Sequence, residues 1–160
     1  ANERAALAVD FIYQANNAGI ATEDIWIDPI VSPVSVEINQ VLSCLEFQSM
    51  LQEIAPEAKS IVGLSNISNG TPTHLRPHLN RAYLAMLMKY GVYAAIVDAY
   101  DPEVLDLAKG RMPEIVGLVH RVMDGEEPDL STLSPKEVAY VKSTKVLLGK
   151  TLYSHSWLEL

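Results

Sequence analysis

The chain has 160 residues, of which 49% are hydrophobic and 20% are charged, and its formal net charge is −8 at pH 7. This is the composition of one ordinary globular domain, and no apolar run approaches the roughly 18 residues of a membrane span. The acidic balance argues against a nucleic-acid partner, and the single cysteine, Cys44, excludes an intrachain disulfide and fits a reducing cytosol. We therefore predict a cytoplasmic protein that binds small molecules or other proteins and no membrane.

The first half of the chain predicts alternating helices and strands. Apolar residues recur at helical spacing from Leu7 to Ala15, and Gly19 stands where a glycine commonly ends a helix. A short strand, Asp24 to Pro29, follows and is stopped by its proline. The spacing then predicts a second helix from Ile38 to Ile54 and a second strand from Ser60 to Ser65.

The series continues with a third helix from Leu79 to Tyr90, ended by Gly91, and a third strand from Ala94 to Ala99. The strand starts lie roughly 35 residues apart, which is the length of a strand plus a crossover helix. The strands are apolar on both faces, as parallel strands covered by helices require. The fold class is therefore predicted to be α/β, with repeated parallel βα units.

The apolar pattern of the last 60 or so residues predicts no further strand. Met112 to Met123 predicts a helix, and Ser134, Pro135 and Glu137 form a capping box that starts the final helix. Three strands make a small core for this length. The pattern therefore resembles part of a larger barrel or sheet.

Polar side chains follow all three strands: Asp28, then Ser65 and Asn66, then Asp98 with Asp101. In parallel α/β folds, ligands bind at the carboxyl ends of the strands. We expect Asp28 to be partly desolvated, so that a ring N–H beside an exocyclic amine could donate to it in a fork. The alternative is that Asp28 caps a turn with the proline that follows it.

The other polar residues each have a structural interpretation as well as a functional one. The amide of Asn66 can both donate to and accept from a heterocycle, but the pattern alone favours a plain turn asparagine. Asp101 before a proline is explained as a helix N-cap. His74 and His78 are separated by Pro77, which makes a helical zinc pair improbable, so no metal site is predicted.

Several segments together resemble one family. They are, in chain order, IDP (27–29), GLSNIS (63–68), RPHLNRAYLAML (76–87), AAIVDAYD (94–101) and LLGKTLYSHSW (147–157). This series resembles the methyltetrahydrofolate:corrinoid/iron–sulfur protein methyltransferases, which are members of the pterin-binding TIM-barrel family. The resemblance implies that residues 1–160 are a partial pterin-binding domain, the later part of a (β/α)8 barrel with extra C-terminal helices. Residues 110–143 look like a helical insertion within it.

The resemblance also implies roles for individual residues. Asn66 would be catalytic, at N5 of the pterin where the methyl group departs, and Asp28 would bind the N3 and 2-amino edge. Gly63 and Ser65 would line the floor of the pterin site. Arg76 would belong to the loop that closes over the pterin, and Asn69 would face the corrinoid.

The implied substrate is methyltetrahydrofolate, and the implied methyl acceptor is a corrinoid (cobalamin) carried by a corrinoid/iron–sulfur protein. Two further pterin ligands of the family, on earlier strands, have no counterpart here, so we expect a homodimer or an assembly with the missing barrel half. A dihydropteroate synthase is an alternative, but it should carry a lysine at Asn66 and an Arg-x-His on its last strand. The non-enzymatic alternative is a half barrel that only binds a pterin or a protein partner.

Overall fold

The computed structural model describes residues 1–160 and has six α-helices around one parallel sheet of three strands. The helices are α1 (Asn2–Asn17), α2 (Ile38–Ile54), α3 (Arg76–Met88), α4 (Pro102–Ala108), α5 (Pro113–Met123) and α6 (Pro135–Leu147). The strands are β1 (Trp26–Ile27), β2 (Lys59–Gly63) and β3 (Ala94–Ile96). The predicted α/β class is confirmed at this level, in a chain that is mostly helical. No helix combines the length and the apolar character that crossing a bilayer requires.

The strands follow one another across the sheet in the order β1-β2-β3, and both pairs are parallel. Trp26 lies opposite Lys59 in the first pair, and Val62 lies opposite Ala95 in the second. The helices α2 and α3 provide the two crossovers. β1 is shorter than the predicted strand of residues 24–29, because Pro29 has no N–H to donate to a ladder and Asp28 begins a turn.

The helices cover only one face of the sheet, although the strands are apolar on both faces. Along β2, Ser60 and Val62 are buried while Ile61 and Gly63 between them are only partly covered. On β3, Ile96 is 66% exposed. The helices therefore cover one face of the sheet, and the apolar side chains that made the strands look two-sided leave the other face open to solvent.

The covered face carries the main core. Helix α3 lies at its centre, with Leu79, Tyr83 and Leu87 fully buried. A buried polar contact joins α2 to the sheet, where Gln48 Nε2 donates to Ser60 Oγ at 2.8 Å. This hydrogen bond gives Gln48 Nε2 and Ser60 Oγ a partner inside an apolar environment and fixes the register between helix and strand, while Gln48 Oε1 has no partner in the protein.

Most helix boundaries follow local signals. Gly19 and Gly91, with φ of 86° and 67°, follow the ends of α1 and α3, and the left-handed backbone there favours glycine. The capping box of Ser134 and Glu137 is present at the start of α6. α3 begins at Arg76, earlier than the predicted Leu79, because a proline is tolerated in the first turn of a helix.

The segment 110–143 holds α5 and the first part of α6. Ile115 and Val119 of α5 and Tyr140 of α6 belong to the same core as α3. The segment is therefore an integral part of the fold in this chain. That it is an insertion relative to the family stays a prediction.

Candidate functional site

A 3-10 turn over Leu64–Ser68 carries the polar cluster that follows β2. Leu64 and Ile67 are buried and anchor the turn, while Ser65 and Asn66 are exposed. The Ile67 carbonyl accepts a hydrogen bond from the backbone N–H of Val34 at 3.0 Å. The turn is therefore fixed from below and presents its polar side chains outward at the carboxyl end of the central strand.

Asn66 lies folded back over Gly63. A Cβ atom added at Gly63 would stand 3.2 Å from Asn66 Nδ2 and 3.7 Å from its Cγ. The absence of a side chain at Gly63 thus makes room for the carboxamide of Asn66. The amide is exposed and makes no hydrogen bond to the rest of the protein, so both its donor and its acceptor are available to a ligand.

Arg76, the first residue of α3, ties the turn together. Its Nε donates to Ser68 Oγ at 3.0 Å, and its Nη2 donates to the carbonyl of Ser65 at 3.2 Å and to Asn69 Oδ1 at 3.3 Å. Asn69 is also fixed through its carbonyl, which accepts from Ser35 Oγ at 2.7 Å. The loop after β1, the turn after β2 and the start of α3 are therefore one hydrogen-bonded unit.

Asp28 lies at the end of β1, apart from that unit. Its Oδ1 accepts from the backbone N–H of Ile30 at 2.8 Å, and Ile30 has a positive φ of 60°. The carboxyl group is exposed, so the prediction that Asp28 is partly desolvated is wrong: the strand ends before it, and the turn carries its side chain into solvent. The turn-capping interpretation fits, and Oδ2 is left without a partner.

A cleft of about 430 Å³ opens between the ends of β2 and β3. Ser65, Arg76, Asp98 and Asp101 line it, and Ile96 contributes apolar wall. Asn80, one turn after Arg76 on α3, also lines the cleft. Sequence reasoning missed Asn80, although its position four residues after Arg76 places the two on one face of the helix.

Asp101 is held in a network and is not free to bind a ligand. Arg81 binds both of its carboxylate oxygens, at 2.7 to 3.1 Å, and the backbone N–H groups of Glu103 and Val104 donate to Oδ1. The predicted N-cap of Asp101 is therefore confirmed. Burial alone would raise the pKa of this carboxyl, but the Arg81 and backbone hydrogen bonds together hold the pKa below its ordinary value.

Five of the six residues predicted for the site thus converge on one loop unit, in which Gly63 contacts Asn66 and Arg76 joins Ser65 to Asn69. Asp28 stands on the neighbouring strand end. No group of three or more His, Cys, Asp and Glu side chains is arranged to hold a metal ion. No protein-family model matches the chain. What the site offers chemically is hydrogen bonding from neutral amides and hydroxyls, flanked by one guanidinium and by the exposed carboxylates of Asp28 and Asp98.

Proposed function

We propose that this chain is the later part of a pterin-binding (β/α)8 barrel that transfers the N5-methyl group of methyltetrahydrofolate to the cobalt of a corrinoid/iron–sulfur protein. The observation that carries the proposal is the free carboxamide of Asn66, folded over Gly63 at the end of the central strand. The resemblance of GLSNIS and RPHLNRAYLAML to the family's segments adds to it.

The architecture supports the barrel part of the proposal. The strands are parallel, sequential neighbours with helical crossovers, as in a (β/α)8 barrel. One face of the sheet is open, and β1 and β3 each have a free edge. In a closed barrel the open face would point inward and both edges would be paired.

The chemistry asks for a neutral hydrogen-bonding group at N5. The N5–methyl bond breaks while the cobalt(I) electron pair of the corrinoid co-substrate forms the new bond to the methyl carbon. The electron pair of the broken bond stays on N5, which leaves as an amine and is a poor leaving group unless it is protonated or hydrogen-bonded. The amide of Asn66 can serve either protonation state of N5, whereas a fixed lysine would disfavour the protonated amine.

The other residues would bind and orient. The free Oδ2 of Asp28 is available to the N–H donors at the N3 and 2-amino edge of a pterin. Arg76 would hold the loop closed over the ring. Its hydrogen bonds to Ser68 and to the carbonyl of Ser65 support this role. Asn69, exposed at the loop tip, would face the corrinoid protein. Catalysis on this scheme is positioning plus stabilisation of charge at N5.

The test compares Asn66→Ala with Asp28→Asn in the protein's native assembly. We expect Asn66→Ala to lower the saturated rate of methyl transfer by about 10²-fold, since it removes an interaction made mainly in the transition state. Asp28→Asn should mainly weaken folate binding, by about 1–3 kcal/mol, the worth of a charge-assisted hydrogen bond. Stopped-flow absorbance of cob(I)alamin with methyltetrahydrofolate measures the chemical step, and calorimetry measures binding.

Asn39→Ala is the matched control, because Asn39 is an exposed helical asparagine on α2. It should leave both quantities unchanged. Wild-type transfer rates in Asn66→Ala at saturating folate would reduce Asn66 to a turn residue and overturn the proposed catalytic role. Folate binding without any methyl transfer by the wild-type assembly would favour the non-catalytic binding module instead.

A further inference from the structure

The C-terminal segment, residues 149–160, follows α6 and is fixed to it near the chain end. The indole of Trp157 is 1% exposed, and its Nε1 donates to Ser143 Oγ of α6 at 3.1 Å. Lys142 Nζ, also on α6, donates to the carbonyl of Leu158 at 2.7 Å. The segment is therefore held against the body of the molecule and can support what it contacts.

Tyr153 is the residue of this segment that contacts the region of the polar turn. Its ring packs against Trp157, with the ring centroids 5.8 Å apart. Its Oη and Oγ1 of Thr71 share a hydrogen bond of 2.8 Å between residues 82 positions apart in the chain. No other hydrogen bond joins residues 149–160 to residues 63–76. The C-terminal segment and the turn are therefore coupled through this one pair of hydroxyl groups.

The loop of residues 68–74 depends on hydrogen bonds for its position, because none of its apolar side chains is fully buried. The backbone N–H of Thr71 donates to the carbonyl of Ser68 at 3.1 Å. Ser68 Oγ in turn donates to the carbonyl of Ser65 at 3.1 Å and accepts from Arg76 Nε. Thr71 is only 8% exposed, so its hydroxyl would lose a partner and stay buried without Tyr153. A displacement of Thr71 is therefore passed on to the turn through directional bonds.

We propose that Tyr153 is a positioning residue: its hydrogen bond to Thr71 holds the turn so that the carboxamide of Asn66 keeps the orientation that the methyl transfer needs. The inference rests on the proposed function, because it assigns a support to that function's site. Tyr153 does not line the cleft between β2 and β3. Its effect on a ligand therefore passes through Thr71 and the turn.

The first test measures the turn itself and needs no substrate. Tyr153→Phe removes only the Oη atom, and the side-chain amide resonances of Asn66 and Asn69 should shift in NMR spectra. Tyr140→Phe is the matched control, because Tyr140 is also buried and its Oη also makes one hydrogen bond, to Glu103 at 2.9 Å. Both variants should lower the melting temperature to a similar extent, since each loses one such bond, but Tyr140→Phe should leave both amide resonances in place.

The second test measures methyl transfer to cob(I)alamin by stopped-flow absorbance in the native assembly at saturating folate. Tyr153→Phe and Thr71→Val should each lower the rate about tenfold, because the amide of Asn66 is no longer held in one orientation. The double variant should be no slower than either, since both changes remove the same hydrogen bond. Thr71→Ser keeps the hydroxyl and should restore the wild-type rate, and Tyr140→Phe should not change it. The dissociation constant for methyltetrahydrofolate should stay at its wild-type value in all variants.

The two tests separate this inference from the proposed function. Unmoved Asn66 resonances in Tyr153→Phe, or an equal loss of rate in Tyr140→Phe, would overturn the positioning role and leave the proposed function standing. If the wild-type assembly binds folate but transfers no methyl group, the proposed function falls. Shifted Asn66 resonances in Tyr153→Phe alone would then still support the positioning of the turn, and unmoved ones would overturn it.

Discussion

At the scale of single residues, the site depends on a contact that involves no hydrogen bond. The carboxamide of Asn66 lies tightly against the position that a Cβ atom at Gly63 would take, with Nδ2 3.2 Å from it. Gly63 itself has an ordinary backbone conformation, with φ of −77° and ψ of 87°, so any residue could adopt it. The reason for glycine at this position is therefore the neighbouring amide and not the backbone.

This predicts an unusual phenotype for Gly63→Ala. The added methyl would stand 3.2 Å from Asn66 Nδ2, which is tight, and the flexible end of Asn66 would move by a few tenths of an ångström. Stability should change by less than about 1 kcal/mol, because the lost space is offset by the lower entropy of the unfolded chain. The side-chain amide resonances of Asn66 should shift in NMR spectra while the melting temperature hardly changes.

Gly117→Ala in the middle of α5 is the control. A Cβ there meets only Arg121 Nη1 at 3.6 Å, an ordinary contact. This variant should gain about 0.5–1 kcal/mol of helix stability and leave the Asn66 resonances in place. Loss of folding in Gly63→Ala would contradict the prediction and would mean that the turn cannot adjust.

How far the sequence predicts the site is seen at the same residues. The cluster at Ser65 and Asn66 could be placed at a strand end because the apolar run of β2 stops there. The environment of Asp28 could not be predicted, since a carboxylate after two strand residues turns into solvent when its own side chain caps the turn. Asn80 shares a helix face with Arg76, but that it lines a cleft could not be predicted, because the cleft is formed in part by β3, which is distant in sequence.

At the scale of elements, the ion pair between Arg81 and Asp101 joins α3 to α4. The sequence does not predict α4 as a helix, although it does predict Asp101 as an N-cap. α4 has seven residues, too few for a clear apolar period. Similarly, the apolar character of the strands could not show which face is covered. Helix boundaries, in contrast, were predictable wherever a cap was encoded locally, as at Ser134 and at Gly19.

The Arg81–Asp101 pair gives a pH dependence whose sign follows from the pKa. Because the pKa of Asp101 is lowered in the folded state, its stabilising contribution is present above its unfolded pKa of about 3.8 and is lost as the pH falls through the folded pKa. Asp101→Asn keeps an N-cap but loses the ion pair, whose acidic side chain is only 10% exposed. We expect it to cost about 1–2 kcal/mol near pH 7, and the difference from wild type should shrink below about pH 4.

Urea unfolding at several pH values measures this difference. Asp106→Asn is the matched control on the same helix, because its partner Arg111 is 63% exposed and such surface pairs contribute little. It should change stability by less than about 0.5 kcal/mol at every pH. A cost for Asp101→Asn that stays constant down to pH 3 would show that the ion pair is not its source.

At the scale of the whole molecule, an exposed apolar surface lies between α1 and β1, the strand at one edge of the sheet. Leu7 and Phe11 on α1 are 55% and 61% exposed. With Trp26 and Ile30 they line a cavity of about 460 Å³ beside β1. Apolar patches with an adjacent unpaired strand commonly mark surfaces that are covered by another chain.

We therefore predict that the isolated chain associates. Sedimentation velocity at tens of micromolar protein should show species larger than the 17.6 kDa monomer. The double variant Leu7→Glu and Phe11→Glu should reduce this association without unfolding the chain, because both side chains are already exposed. Leu152→Glu, which changes an exposed leucine in another part of the molecule, should have no effect. A stable monomer that unfolds cooperatively would contradict the prediction.

The two free edges of the sheet also restrict the symmetry of any partner. A twofold axis perpendicular to the sheet would pair two copies of β1 in antiparallel orientation. A twofold axis parallel to the strands would keep the strands parallel but place the helices of the two copies on opposite faces of the sheet. Neither arrangement continues a sheet whose strands are all parallel and whose helices lie on one side. Only a head-to-tail contact does so, in which the edge of β1 meets an edge equivalent to that of β3. A barrel that contains this chain therefore joins unlike edges, and its second half cannot be a copy related by a twofold axis through β1.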